Sequence, residues 1–519
     1  MRRTIEVVTC ILLGLLAAGK PALAGEAANA GRTFLNLDLM LAQTGPGQPP
    51  AVPPTGVLPL SLRDSIALAL KSNLDIAVEG FNPPQREQDL TNAKSVFDPS
   101  AFLEFSQTDN RTPAGVQVIQ GSRLASTFWD YNAGLRQTLP TGGTYEFRFN
   151  NEYNILRSQN FTGFISKLGL TLTQPLLKNF GIEANETNIR IAANNQSISR
   201  EQLRLKVSDV VTQVQNAYAE LAFSIENLKV QRRSLQLAKD LVALNQARVR
   251  AGVAAPVEVT QAEAQEAARV QDVILAEKAV RDAEDTLKVI MNLPASGGWG
   301  QEIQITYTLT FEPKSVNLDE SIQKALENRY EYKSAKLDIE SKGLSTRLTR
   351  NQLLPDLSFA GSVFTNGAGS TYGSDISEMG SSHFISYSVG VVLTVPLGNR
   401  GPKSSYIKAK LAEDQAKTSL KNLELQIIQQ VREAVRRIEA NAKRVDANRA
   451  ARVLAEEQLR VEQRRLEAGV TTTFNVLSFQ RDLAVAQANE IRSIADYFES
   501  LVNLEKVQAT VLEANRIEM

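Results

Sequence analysis

Residues 129–139 read Trp-Asp-Tyr-Asn-Ala-Gly-Leu-Arg-Gln-Thr-Leu, and after the turn Pro140-Thr141-Gly142-Gly143 residues 144–155 read Thr-Tyr-Glu-Phe-Arg-Phe-Asn-Asn-Glu-Tyr-Asn-Ile. Most alternate positions are apolar, mainly aromatic: Trp129, Tyr131, Ala133 and Leu135, then Tyr145, Phe147, Phe149 and Tyr153. The intervening positions are wet: Asp130, Asn132 and Arg136, then Glu146, Arg148, Asn150 and Glu152. A period of two places successive side chains on opposite faces of a strand, so each segment predicts a ribbon with one greasy and one charged face. Segments 164–174 and 385–395 alternate in the same way, and shorter strands at 101–107 and 357–364 complete six per chain. Strands of about ten residues with these two faces suit a transmembrane barrel around water. The charged set is then the expected barrel lumen. An open six-stranded sheet cannot sit in lipid, because its edge amides would lack partners, so several chains must close it together. The tight turn at 140–143 is expected on the periplasmic side, and the polar stretches near 108–123 and 366–383 outside.

Outward from these strands the chain repeats itself. Leu62-Arg63-Asp64-Ser65-Ile66 corresponds to Leu318-Asp319-Glu320-Ser321-Ile322, an offset of 256, and the same offset pairs Pro99 with Pro355. Thr173-Gln174-Pro175-Leu176 matches Thr394-Val395-Pro396-Leu397 at 221, so the first copy holds 35 extra residues, the size of one hairpin. From about Asn185 to Arg250 no Pro or Gly interrupts a helical pattern, which implies a helix about 99 Å long at about 1.5 Å per residue. Val207, Val211, Val214, Tyr218, Leu221, Ile225 and Leu228 are spaced alternately four and three, the period of a coiled-coil seam. A second run, from about Lys403 to Ala468, carries a similar stripe through Ile427, Val431, Ala434 and Ile438. Each run turns at a glycine, Gly252 or Gly469, into a returning helix that reaches about Met291 or Leu512.

Composition narrows the function. Fifty-seven Lys plus Arg balance fifty-seven Asp plus Glu, which gives no electrostatic case for nucleic acid. One His and one Cys cannot build a zinc cluster or a disulfide framework. His383 has no nearby thiol or acidic partner in sequence, and no Gly-x-x-x-x-Gly-Lys loop is present, so neither catalysis nor nucleotide hydrolysis is expected, and no cofactor or metal. Arg2 and Arg3 precede an apolar stretch from Val7 to Ala18, and Ala22-Leu23-Ala24 supplies a small-x-small cleavage pattern. Residues 1–24 are therefore expected to be a removed export signal, leaving a mature chain without thiols, since Cys10 goes with it. Residues 25–60, rich in Pro and Gly, read as an extended lead-in. The remainder divides into a first repeat 61–291, a connector 292–317 and a second repeat 318–519.

This order of elements, together with Leu353-Leu354-Pro355-Asp356-Leu357, Gln174-Pro175-Leu176 and the Ala251-Gly252-Val253 and Ala468-Gly469-Val470 turns, resembles the TolC family of outer membrane efflux proteins, over about residues 60–515. The resemblance implies a mixed α and β fold: a homotrimeric channel with a β-barrel in outer membrane lipid and a coiled-coil α-helical barrel in the periplasm. It implies a passive exit duct of a tripartite efflux or type I secretion system, loaded by an inner membrane pump through a periplasmic adaptor protein. Residues 292–317 correspond to a belt around the helical barrel. By matching motif, the adaptor-contact tips are Arg250, Ala251, Gly252, Val253, Glu258 and Val259, and Leu466, Ala468, Gly469 and Val470. The periplasmic aperture falls at Asn475, Val476, Leu477 and Ser478, where some members carry Asp-Val-Leu-Asp. The missing acids leave two closures open: a carboxylate from Glu258, or apolar contact by Val476 or Leu477. Family barrels commonly use four strands per protomer, whereas six would give eighteen. A coiled-coil adaptor or scaffold without a channel is the rival reading; it accounts for the seams but not for the two-faced strands.

Overall fold

The computed structural model describes residues 56–112, 124–156, 161–294, 299–306 and 309–518. The expected export signal, the lead-in up to residue 55, most of the polar stretch 108–123 and parts of the connector lie outside the described residues. In the first half the elements run β1 (Val57–Leu60), α1 (Leu62–Ser72), α2 (Leu74–Gly80), α3 (Asn82–Lys94), β2 (Ser100–Thr112), β3 (Leu124–Thr138), β4 (Thr144–Leu156), β5 (Phe161–Pro175), α4 (Ile182–Asn185), α5 (Thr187–Arg250) and α6 (Pro256–Ile290). The second half runs β6 (Glu302–Ile305), α7 (Leu318–Asn328), α8 (Tyr330–Asn351), β7 (Asp356–Gly369), α9 (Tyr372–Ser381), β8 (Ile385–Thr394), α10 (Arg400–Glu467), α11 (Thr473–Val507) and α12 (Val511–Ala514). Two compact units result, and each draws on both halves of the chain.

One unit, Phe81–Leu205 with Lys324–Gln430, holds a single antiparallel sheet in the order β2-β3-β4-β5-β7-β8. Tyr145 pairs with Gln137 and Leu172, Phe147 with Leu135 and Leu170, and Phe149 with Ala133 and Leu168, so the apolar alternation of each strand falls on one common face. The β3–β4 turn closes through Leu139 N–H to the Gly143 carbonyl, 2.7 Å, with Gly142 at φ 89°. It lies beside the start of the long helix, since Gly181 N–H donates to the Thr141 carbonyl at 3.0 Å. The tight turn therefore sits at the end of the sheet where the chain leaves for α5.

The strands are longer than their sequence signals. β7 runs to Gly369 rather than Phe364, because Thr365, Gly367 and Gly369 still pair with Leu168, Ser166 and Phe164. Small residues there carry no apolar alternation to read. The polar stretch 366–383 holds the ten-residue helix α9 rather than an irregular loop. Thr371 starts it with a capping box in which Ser374 N–H and the Thr371 hydroxyl meet at 3.3 Å.

The other unit contains Lys206–Gln323 and Val431–Met519 with the described residues to Gly80. β1 and β6 pair in parallel, and the β1 side chains Leu58 and Leu60 are buried. Within the connector 292–317, Glu302–Ile305 forms the ladder with β1. The seam residues Val207, Val211, Val214, Tyr218 and Leu221 are buried, as are Val431, Ala434 and Ile438 on the second long helix, whose Ile427, likewise buried, belongs to the sheet-bearing unit. The returning helix α11 ends at Val507, not near Leu512, because Ala509 adopts φ 54° and a short α12 follows. Within this unit Lys288 and Glu284 form a buried pair on α6, 3.6 Å apart and 4% and 9% exposed. The Lys288 ammonium also donates to the Trp299 carbonyl at 3.1 Å, and Glu284 accepts from Ile303 N–H at 3.1 Å.

Two further carboxyls on α11, Glu499 and Glu505, are held above the usual carboxylate range, chiefly by desolvation, with Arg492 and Lys314 respectively opposing the rise. A carboxyl with a raised folded pKa binds more protons folded than unfolded, so stability falls as pH rises from the ordinary carboxylate value through the raised one. Glu505→Gln and Glu499→Gln should therefore raise the thermal midpoint at neutral pH and leave it nearly unchanged at about pH 4, where both states are largely protonated. Melting curves at the two pH values check this.

Candidate functional site

The two hairpin turns are built alike. In the first, Val253 N–H donates to the Arg248 carbonyl and Gly252 N–H to the Val249 carbonyl, both at 3.0 Å. In the second, Val470 N–H donates to Arg465 and Gly469 N–H to Leu466, again at 3.0 Å. These are paired Schellman closures, and they require the left-handed backbone seen at Gly252 (φ 76°) and Gly469 (φ 74°). Pro256 then opens α6 at its first turn, where its missing N–H costs nothing.

The tips of the two hairpins meet. Leu241, Leu459, Leu466, Val476, Leu477 and Leu483 form one buried cluster drawn from α5, α10 and α11. Val476 and Leu477, at 1% and 8% exposure, therefore pack inside the protomer. Their side chains hold the hairpins together and present almost no surface for the apolar closure considered above. Of the aperture segment, Asn475 is exposed and Ser478 half-buried, and the Asn475 amide donates to the Thr471 hydroxyl at 3.0 Å.

Beside the cluster lies a polar knot. The Thr473 hydroxyl, buried on the first turn of α11, donates to Glu258 Oε2 at 2.7 Å and lies 3.2 Å from Asn245 Oδ1. Asn245, fully buried on α5, donates through Nδ2 to the Glu258 carbonyl at 3.3 Å. Glu258 thus links both limbs of the first hairpin to the second through a charge-assisted bond. Thr471 donates in turn to Glu462, which also pairs with Arg465 at 3.0 Å.

Of the expected tip residues, Arg250, Ala251, Gly252, Val253, Ala468, Gly469 and Val470 are exposed, Glu258 and Val259 half-buried and Leu466 buried. Val257 and Phe474, which sequence reading passed over, are exposed apolar side chains next to Val253 and Val470. The only available signal was an apolar residue within the first helical turn after each glycine.

The sheet supplies the second candidate surface. Asp130, Asn132, Arg136, Glu146, Arg148, Asn150 and Glu152 share one face, joined by Glu104 and Lys167, which the sequence reading did not single out. Arg148 pairs with Glu104 at 2.7 Å and Glu146 at 3.4 Å, and Ser106 donates to Asp130 at 2.8 Å. Arg136 and Arg148 also lie over the Phe102 ring, 5.9 and 5.4 Å from its centroid, and that ring covers Gly134. The opposite face exposes Leu103, Phe105, Leu135, Phe147, Leu170, Val363, Tyr387, Val389 and Val391. An apolar surface of that extent on a folded chain marks contact with lipid or a partner. No helix among the described residues is long and apolar enough to cross a membrane, and no group of three His, Cys, Asp or Glu side chains is placed to hold a metal ion.

Over residues 151–293 and 321–509 the chain matches the outer membrane efflux protein family. The chain belongs to that family. This efflux protein is 23% identical over 350 residues to nodulation protein T of Rhizobium leguminosarum bv. trifolii, across 66% of this chain and 71% of that protein. Its fold is similar to that of the outer-membrane channel OprN, with a TM-score of 0.64, 14% identity and coverage of 86% of this chain and 89% of the channel. It is likewise similar to the outer membrane protein VceC of Vibrio cholerae, with a TM-score of 0.63, 16% identity and coverage of 86% and 95%. The efflux protein is an outer membrane exit duct with a TolC-like fold, not an enzyme.

Proposed function

We propose that three copies of this efflux protein pool their sheets into one barrel, and that the duct so formed receives cargo from an inner membrane pump through a periplasmic adaptor, in a tripartite efflux or type I secretion system. The observation that carries this reading is a six-stranded sheet with an apolar face whose two edges, β2 and β8, have no partner strand among the described residues. In lipid both edges need partners, and a neighbouring copy offers one: the ten-residue edge strand β8 of one protomer can pair along the thirteen-residue edge strand β2 of the next. The charged face, from Asp130 to Glu152, then lines the lumen. Repeats 61–291 and 318–519 each contribute strands, a long helix and a 35-residue returning helix, with 292–317 as the connector.

The adaptor docks on the turns. Val253, Val257, Val470 and Phe474 give it exposed apolar contacts around Gly252 and Gly469, while Arg250 supplies charge. The aperture, at exposed Asn475 and half-buried Ser478 with Val476 and Leu477 beneath, is set by how far the hairpins lean inward, which the Glu258–Thr473 bond restrains. The mature chain has no thiol once residues 1–24 are removed, so single cysteines at Val253 and Val470 can be crosslinked in living cells. Capture of a periplasmic adaptor is expected; capture of neither adaptor nor pump, from a protein still heat-stable as a trimer, would overturn the assignment of partners.

A further inference from the structure

The segment between β7 and β8 is placed on the apolar face of the sheet. Thr365, Gly367 and Gly369 share that face with Leu168, Ser166 and Phe164, their partners on β5. A Cβ at Gly367 would strike the Asp375 carbonyl and lie 2.8 Å from Met379 Cβ, and one at Gly369 would strike Ser374. Helix α9 therefore rests directly on the strand backbone, in a cradle that only glycine leaves open. Asp375, fully buried, accepts from Ser166 N–H at 3.0 Å and from the Ser166 hydroxyl, which in turn accepts from Asn151 Nδ2 at 2.8 Å. Thr365 donates to the Met379 carbonyl at 2.7 Å. Tyr372 meets Phe164 edge-on at 5.8 Å, and Phe164 meets Tyr153 at 4.7 Å. The polar notch made by Asn151 and Ser166 in an otherwise apolar face is thus filled from outside.

We propose that α9 is a fastening that holds the β7–β8 segment on the outer wall, away from the mouth, and that the barrel is a wide bore built for bulky, hydrated polar cargo. This rests on the trimeric reading above. Three six-stranded sheets give eighteen strands. At a strand spacing of about 4.8 Å and a tilt of about 40°, eighteen strands enclose a backbone diameter of about 36 Å and a clear bore of about 26 Å; twelve would leave about 14 Å. The lumen face does not filter by charge sign. Glu104, Glu146, Asp130 and Glu152 are interleaved with Arg136, Arg148 and Lys167, and Arg148 is paired on both sides. Neutral and mixed-charge solutes therefore meet no single-sign barrier.

The test uses the cysteine-free mature chain with Thr171→Cys, which lies on the charged face opposite Glu146 and Ser362. Intact cells receive membrane-impermeant maleimides carrying compact dendrimers. The proposal expects labelling by a dendrimer about 20 Å across and none by one about 35 Å across, from the bore given by strand number. Exclusion of the smaller dendrimer, while Ser377→Cys on the exposed side of α9 still reacts, would overturn the wide bore and leave the adaptor assignment standing. Gly367→Leu should eject α9 and slow labelling at position 171 at least severalfold. Asp375→Ala, which removes the hook and leaves the strands intact, serves where the leucine variant fails to assemble. An unchanged rate in a variant that remains trimeric would overturn the fastening.

Discussion

Thr473→Val and Glu258→Ala should each open the periplasmic end of the duct. Thr473 donates to Glu258 Oε2 at 2.7 Å, and the pair ties α11 of one hairpin to α6 of the other. A hydrogen bond to a charged group contributes about 1.5–3 kcal/mol, so its loss should raise the open population about ten- to hundredfold. Valine keeps the shape of threonine and leaves the cluster around Val476 undisturbed, which separates the polar restraint from apolar packing. Single-channel conductance of the purified protein in planar bilayers checks the result: long-lived high-conductance states are expected in both variants. Wild-type conductance in an intact trimer would show that the knot carries no restraint.

Lys288→Met should destabilise the helical unit by about 3–5 kcal/mol, because it strands the Glu284 carboxylate in a site with almost no water contact. Both side chains are under a tenth exposed, and Glu284 must keep accepting from Ile303 N–H to hold β6 against α6. Adding Glu284→Gln removes the stranded charge and retains that acceptor. The double variant should therefore recover at least half of the loss. Thermal unfolding of the three proteins gives the comparison; additive losses would mean that the two groups do not act as a pair.

The two-faced strands were legible because a period of two survives whatever packs on either face, as at Trp129–Leu135 and Tyr145–Tyr153. The long helices were legible because neither Pro nor Gly interrupts Thr187–Arg250, and the turns because Gly252 and Gly469 occupy equivalent sites of a repeat. What escaped has physical causes. Gly367, Gly369 and the serines of α9 carry no hydropathy signal, since their purpose is close approach rather than apolar burial. The phase of α11 is not fixed by local pattern, so the burial of Val476 and Leu477 in the hairpin core was not legible from the segment Asn475–Ser478. Thr473 and Asn245 stand 228 residues apart, and nothing local foretells their meeting. The end of α11 was missed because the left-handed turn there uses Ala509 rather than a glycine.

A cross-section of the purified protein in a lipid disc, imaged at the level of Phe147 and Leu170, tests the central claim most directly. Three protomers are predicted, in one closed wall of eighteen strands, with β8 of each paired to β2 of the next. A wall closed within a single chain, or protomers whose β2 and β8 edges remain apart, would contradict it.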